Sequence, residues 1–252
     1  MIQFQNVSAG YAGRTVVREV SFTVPRGSVA SLIGPNGQGK TTLLRTAGGL
    51  LKPQAGRVLL NGKPAGDYRR RELAQLAAVL PQVRETPAIT VERLAAHGRY
   101  PHLGFGRELA SRDRELVERA MEEAGVQDLR RRELASLSGG ERQRAYIAMA
   151  LAQDSQVLLL DEPTTYLDVG QRYEVLELVR RLNAQGRTVL MVLHDLSLAF
   201  GYSDYVALVD RGELRAFGRA RAVFESGAAE AAFGVKAACL PVEGKERYLF
   251  FH

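Results

Sequence analysis

A run of glycines around one lysine, Gly34-Pro35-Asn36-Gly37-Gln38-Gly39-Lys40-Thr41-Thr42, has the composition and spacing of a loop that holds phosphates. In the pattern G-x-x-x-x-G-K-[ST], backbone N–H groups converge on phosphate oxygens. The helix that follows turns the positive end of its dipole toward them. On that pattern Lys40 reaches the β- and γ-phosphates, and the Thr41 hydroxyl is a ligand for Mg²⁺. The pattern needs a strand, then the loop, then a helix. Val29-Ala30-Ser31-Leu32-Ile33 reads as the strand and Thr42-Leu43-Leu44-Arg45-Thr46-Ala47 as the opening of the helix. By accident the fixed positions recur in on the order of one chain in a hundred of this length.

About a hundred residues on comes a second glycine-rich segment, Leu137-Ser138-Gly139-Gly140-Glu141-Arg142-Gln143-Arg144. Ser138 and the glycine N–H groups, ahead of a helix over Arg142 to Leu151, form a second candidate anion site. A plain capped helix start would explain Ser138 but not the two glycines. Next, Val157-Leu158-Leu159-Leu160-Asp161 reads as a buried strand that delivers a carboxylate at its C-terminal edge, where α/β sheets bind ligands. Asp161 there is a candidate to hold Mg²⁺ through water, and Glu162 to polarise an attacking water.

These residues need a scaffold, and the rest of the chain describes one. Ile2-Phe4, Val16-Val17, Ser21 to Val24 and Val29 to Ile33 read as β, broken by turn signals at Ala9-Gly10, Ala12-Gly13 and Arg26-Gly27. Strands are also expected at 57–60 and Val79-Leu80. From about 90 to 153 the periodicity is helical, with Leu116, Val117, Ala120, Met121 and Ala124 on one face. Beyond, apolar runs at 157–160, 188–193 and 205–209 alternate with helical stretches at 171–185 and 196–202, the signature of a parallel α/β sheet. Tyr205 to Val209 and Glu213 to Phe217 read as a hairpin around Asp210-Arg211-Gly212, and Tyr248 to His252 as a final strand. The organisation expected is an α/β core, 1–85 and 156–252, with an antiparallel β section at its start and a helical subdomain inserted over 86–155.

Composition narrows the class. At 46% hydrophobic and 25% charged, the 252 residues can bury a core without staples. The single cysteine, Cys239, excludes an intrachain disulfide and offers no thiolate metal set. Met1-Ile2-Gln3-Phe4 runs into a strand pattern rather than a leader. No apolar stretch nears the ~20 residues of a membrane span. The net charge of +6 comes mostly from arginines that alternate with glutamates, as in Arg112-Asp113-Arg114-Glu115. That is the pattern of solvated helix faces, so no nucleic-acid partner is expected.

Taken together, Gly34 to Thr42, the Leu137-Ser138-Gly139-Gly140-Glu141 segment and the Asp161-Glu162 strand end resemble the ATP-binding-cassette ATPases, and the resemblance covers essentially the whole chain. It implies a P-loop NTPase core with ATP and Mg²⁺ as ligands. It also implies a second copy of the chain in an ATP sandwich, where Ser138, Gly139 and Gly140 cover the γ-phosphate held by the other copy. By the same resemblance Tyr11 stacks on adenine, and Gln82 contacts Mg²⁺ and senses a membrane partner. Asp168 lies in the loop that communicates across the dimer, and His194 touches the γ-phosphate. Catalysis would then rest on Lys40, Gln82, Glu162 and His194, and the metal site on Thr41, Gln82 and Asp161. Gln38 and Tyr166 depart from the family's usual residues without removing a phosphate or metal ligand.

Ala95 to Gly104, with Gly98-Arg99-Tyr100-Pro101-His102, resembles the corresponding segment of importers for iron-siderophores, haem and vitamin B12. That implies transmembrane permease subunits as partners, a substrate-binding protein indirectly, and a peripheral place on the cytoplasmic face of the cell membrane. Ferric siderophore comes first as cargo, with haem and cobalamin open. A non-transport cassette ATPase and a non-hydrolysing regulatory relative remain alternatives of other classes.

Overall fold

A computed structural model describes residues 1–82, 86–104 and 108–252. The chain opens with β1 (Ile2–Tyr11), β2 (Arg14–Val24) and β3 (Val29–Ile33), followed by α1 (Lys40–Ala47). Next come β4 (Ala55–Leu60), β5 (Lys63–Pro64), α2 (Arg70–Leu76) and β6 (Ala77–Leu80). Three helices, α3 (Val91–His97), α4 (Ser111–Glu123) and α5 (Gly139–Ala152), then intervene. The second half alternates β7 (Val157–Asp161), α6 (Val169–Ala184), β8 (Thr188–Val192), α7 (Leu196–Tyr202), β9 (Tyr205–Asp210) and β10 (Glu213–Arg219). It closes with α8 (Ala220–Glu225), α9 (Ala228–Phe233) and the hairpin β11 (Lys236–Val242) and β12 (Lys245–Phe251).

Two larger sheets organise these elements. One is four-stranded and antiparallel in the order β2-β1-β4-β5. The other is six-stranded in the order β10-β9-β3-β8-β7-β6, parallel throughout except for β10 against β9. Its central strands β3, β7 and β8 are buried at every position, which is why they read as continuous apolar runs. Alternate residues serve opposite faces. Leu158 and Leu160 join the core formed with α5 and α6, whereas Val157 and Leu159 join the one beneath α1 and the antiparallel sheet. In that second core Leu43 and Leu44 of α1 pack with Phe4, Val20, Leu32 and Leu190, so the helix after the glycine-rich loop is clamped between two sheets.

The helices α3 to α5 form their own contacts within the stretch between β6 and β7, which are neighbours in the sheet. The expected boundary at 85/86 falls at Glu85, outside the described residues. Elsewhere one expectation needs correction. Ala9-Gly10 is no turn: β1 continues to Tyr11 and stays paired with β2 through irregular register, Gly10 opposite Thr15 and Tyr11 opposite Arg14. Cross-strand pairing there outweighs the local turn preference of Ala-Gly. Arg70 to Leu76 forms a helix that begins within an arginine run. The stretch after 220 contains two helices and a hairpin whose second arm is the expected last strand.

Candidate functional site

The parallel strands decide where the chemistry collects. Four neighbours in the sheet, β3, β8, β7 and β6, each release a polar residue or loop just past the C-terminal end. From β3 comes the glycine-rich loop, from β8 His194, from β7 Asp161 and Glu162, and from β6 Gln82. This is the edge at which open α/β sheets bind ligands. Together with Tyr11 and Val16 from the first hairpin, the ends of these strands line a cleft of about 930 Å³.

Gly34 starts the loop with φ of +147°, and a Cβ there would lie 1.9 Å from the carbonyl oxygen of Val209. No side chain fits between β3 and the end of β9. At the other end of the loop Gly39 caps α1 in the left-handed region, with no side-chain hydrogen bond to the helix and no acid in the first turn. The first N–H groups of α1 are thus left for an anion. Lys40, 5% exposed, curls back so that its Nζ donates to the carbonyls of Gly34 at 2.7 Å and Pro35 at 2.8 Å. Burial pushes its ammonium pKa down, against the pull of Glu162 and Asp161.

Thr41 Oγ1 donates to Asp161 Oδ1 at 2.9 Å, tying the start of α1 to the end of β7. Asp161 is buried, and that burial raises its carboxyl above the ordinary range. A hydroxyl and a carboxylate oxygen side by side are hard donors, a set that fits Mg²⁺ rather than a softer transition metal.

Glu162 is the hub. Its backbone sits at φ of +53°, a strained conformation for a residue with a side chain. Its Oε1 lies 2.6 Å from His194 Nε2. Its Oε2 accepts from Gln82 Nε2 at 2.8 Å and from Thr165 Oγ1 at 3.0 Å. Three separate segments therefore converge on one carboxylate.

Other expected residues are placed apart from this cluster. Ser138 caps α5: its Oγ accepts from the N–H of Glu141 at 3.3 Å, and Glu141 Oε2 accepts from the N–H of Ser138 at 2.8 Å. Gly140 lies against α6, where a Cβ would meet the Gln171 side chain at 2.5 Å. Gly139 borders a small recess with Tyr146 and Tyr166. The segment Ser138 to Gly140 does not line the cleft that holds Lys40. Asp168 caps α6, accepting from the N–H of Gln171 at 2.8 Å. Tyr11 stands at the cleft mouth, its hydroxyl 3.4 Å from Arg45 Nη1. The His97 ring lies tilted against Tyr100, 4.7 Å between centroids, and His102 Nε2 is hydrogen-bonded with the carbonyl of Gln153.

Residues 17–165 match the family described as ABC transporter, which is more than half of the chain. The chain belongs to the ABC transporter family. Among curated relatives, the iron(3+)-hydroxamate import ATP-binding protein FhuC of Bacillus subtilis (strain 168) is 45% identical over 82% of this chain and 78% of its own. The hemin import ATP-binding protein HmuV of Pseudomonas putida is 39% identical over 93% of both. A solved structure of a metal-chelate type ABC transporter in an inward-facing conformation superposes with a TM-score of 0.86 at 26% identity, covering 99% of this chain and 95% of that one. As an ABC ATPase, the chain has a fold and a family that match the sequence expectation.

Four cleft residues escaped the sequence: Val16, Arg45, Thr165 and Phe233. Thr165 follows the strand end directly and is recognisable as a hydroxyl beside the carboxylates. Phe233 arrives from α9, and no local pattern announces so distant a contribution.

Proposed function

We propose that this chain is the ATP-hydrolysing subunit of a membrane importer that takes up an iron complex, with a ferric siderophore as cargo. The observation that carries the catalytic half is the Glu162 cluster at the lip of the phosphate-loop cleft. The importer half is supported by relatives whose names specify hydroxamate and hemin import. The hemin relative is also the specific reason to keep haem as a second cargo.

In this reading the N–H groups of Gly37, Gly39 and α1 receive the phosphates, with Asn36 and Thr42 bordering them. Lys40 turns from the Gly34 and Pro35 carbonyls to the γ-phosphate. Tyr11 stacks on the adenine. Thr41, Asp161 and the carbonyl oxygen of Gln82 would hold Mg²⁺, whose role is to neutralise charge on the phosphate oxygens. Glu162 orients the attacking water and takes its proton, while His194 donates to the γ-phosphate and keeps it in line. The loop and the helix dipole are fixed before substrate arrives, so Lys40 is the group that must reorient to stabilise the charge.

Ser138, Gly139 and Gly140 complete the site from a second copy of the chain, because within one chain they stand outside the cleft. Asp168 sits next to them at the head of α6. Closure of the two copies is read by permease subunits, which a substrate-binding protein serves in turn, at the cytoplasmic face of the membrane. The core over 1–85 and 156–252 holds nucleotide, and 86–155 carries the signature and, near Gly98 to Gly104, the permease contact.

The decisive variant is Glu162→Gln. It should bind ATP with near-parental affinity, lose at least about 10²-fold in turnover as expected for a lost general base, and accumulate as an ATP-bound dimer. Used as bait with detergent-solubilised host membranes, it should recover a polytopic permease. Parental turnover would remove Glu162 from its role, and recovery of soluble partners alone would remove the transport assignment.

A further inference from the structure

Large apolar side chains on the surface are not scattered. Of the ten exposed ones among the described residues, seven fall on two adjoining segments, at exposures between 44% and 83%. Tyr166, Val169 and Tyr173 run from the turn after Glu162 onto the first turns of α6. Leu240, Val242, Leu249 and Phe251 lie on the terminal hairpin. The segments meet where Tyr173 lines a groove of about 260 Å³ with Leu240, Val242 and Leu249.

The hairpin is anchored from its other face. Tyr248 lies 5.6 Å from Phe200 and 4.8 Å from Phe224, and Phe250 lies 5.5 Å and 5.9 Å from the same two rings. Strand alternation then turns Leu249 and Phe251 outward. A contiguous apolar stripe of this kind marks a contact surface.

We propose that the stripe packs against a second copy of this chain, extending the nucleotide sandwich onto the C-terminal hairpin. This rests on the reading that one copy's phosphate loop faces the other's Ser138 to Gly140 segment. In such a two-fold pair the axis passes between each copy's own phosphate loop and its own signature segment. Tyr166 borders both, sharing the cleft with Glu162 and His194 and the neighbouring recess with Gly139. It therefore stands beside the axis, and the apolar side chains that continue from it lie on the facing surface. Tyr166 also holds φ of +64° while 83% exposed. For a bulky residue that is an outlier conformation, and in a single copy no burial compensates for it. The hairpin part of the contact involves no nucleotide, so it keeps two copies together as the cleft opens after hydrolysis.

The test uses full-length protein carrying Glu162→Gln, with MgATP, and reads the dimer dissociation constant by sedimentation. Adding Leu240→Glu and Leu249→Glu should weaken the dimer at least tenfold, whereas Leu50→Glu, an exposed apolar position off the stripe, should not. Nucleotide affinity at monomeric concentration should stay the same in all three. The pair Leu240→Ala and Leu249→Ala, which removes apolar area without adding charge, should weaken the dimer by a smaller factor and decides the matter if the glutamates unfold the hairpin. An unchanged dimer constant overturns this inference and leaves the sandwich standing. Unchanged dimerisation with lost permease capture gives the stripe to the permease and also overturns it. A parent that never dimerises with ATP overturns the sandwich and the inference together.

Discussion

The two glycine-rich helix starts look alike in sequence and differ in what they leave open. At α1 the cap is Gly39, with no side chain to satisfy the first N–H groups and no acid in the first turn. At α5 Ser138 and Glu141 bond reciprocally to each other's backbone N–H groups, and Glu141 places a negative charge where an anion would go. The first start can receive a polyanion within a single chain. The second is already partly satisfied, and an incoming phosphate must compete with its own carboxylate. That asymmetry suits a site assembled from two copies, in which one half binds ATP and the other closes on it.

Lys40→Ala gives the largest way to break this comparison. Charge-assisted hydrogen bonds are worth about 1.5–3 kcal/mol each, so ATP affinity of the monomer should fall by about a hundredfold in a nucleotide titration. Ser138→Ala should leave that monomer affinity unchanged, because Ser138 lies outside the cleft. It should instead lower stability by about 1 kcal/mol through the lost cap, a drop of about 2–4 °C in thermal midpoint for a chain this long. If Ser138→Ala weakened monomer binding as Lys40→Ala does, the two starts would not differ as described.

Asp161→Asn sharpens the comparison at smaller scale. Burial raises the folded pKa of Asp161 above its unfolded value. The stabilising contribution of such a group is full below the unfolded pKa and is lost as pH rises through the folded one. Asparagine mimics the protonated form at every pH. Without nucleotide the variant should therefore melt above the parent near neutral pH, with the gain shrinking as pH falls through the folded pKa. Stabilisation by MgATP should be lost in the same protein.

How much of this was legible in the sequence depended on burial. Strands β3, β7 and β8 are buried on both faces, so each reads as an unbroken apolar run, and the polar residue that ends it stands out. Asp161 and Glu162 were found that way, whereas Gly34 came from the loop pattern and His194 from the family resemblance. By contrast α2 buries no residue fully and packs only Leu73 and Leu76 against the core, and α9 is a short alanine-rich turn of helix. Phe233 at the end of α9 reaches the cleft through tertiary packing alone. The free face of the hairpin was invisible for a related reason. Alternation shows that one side of β12 is apolar, but the other side is apolar as well, so no pattern tells core from contact.

The three hydrogen-bond partners of Glu162 have a consequence for idling. A carboxylate offers roughly four acceptor positions, and here His194, Gln82 and Thr165 take three of them. The carboxylate proposed as general base is therefore held by its own surroundings and has one position left for a water. If His194 turns to the γ-phosphate as proposed, one of those positions is released. On that reading the carboxylate would be freed by the same nucleotide it is to act on, and a subunit without ATP would keep its base in reserve.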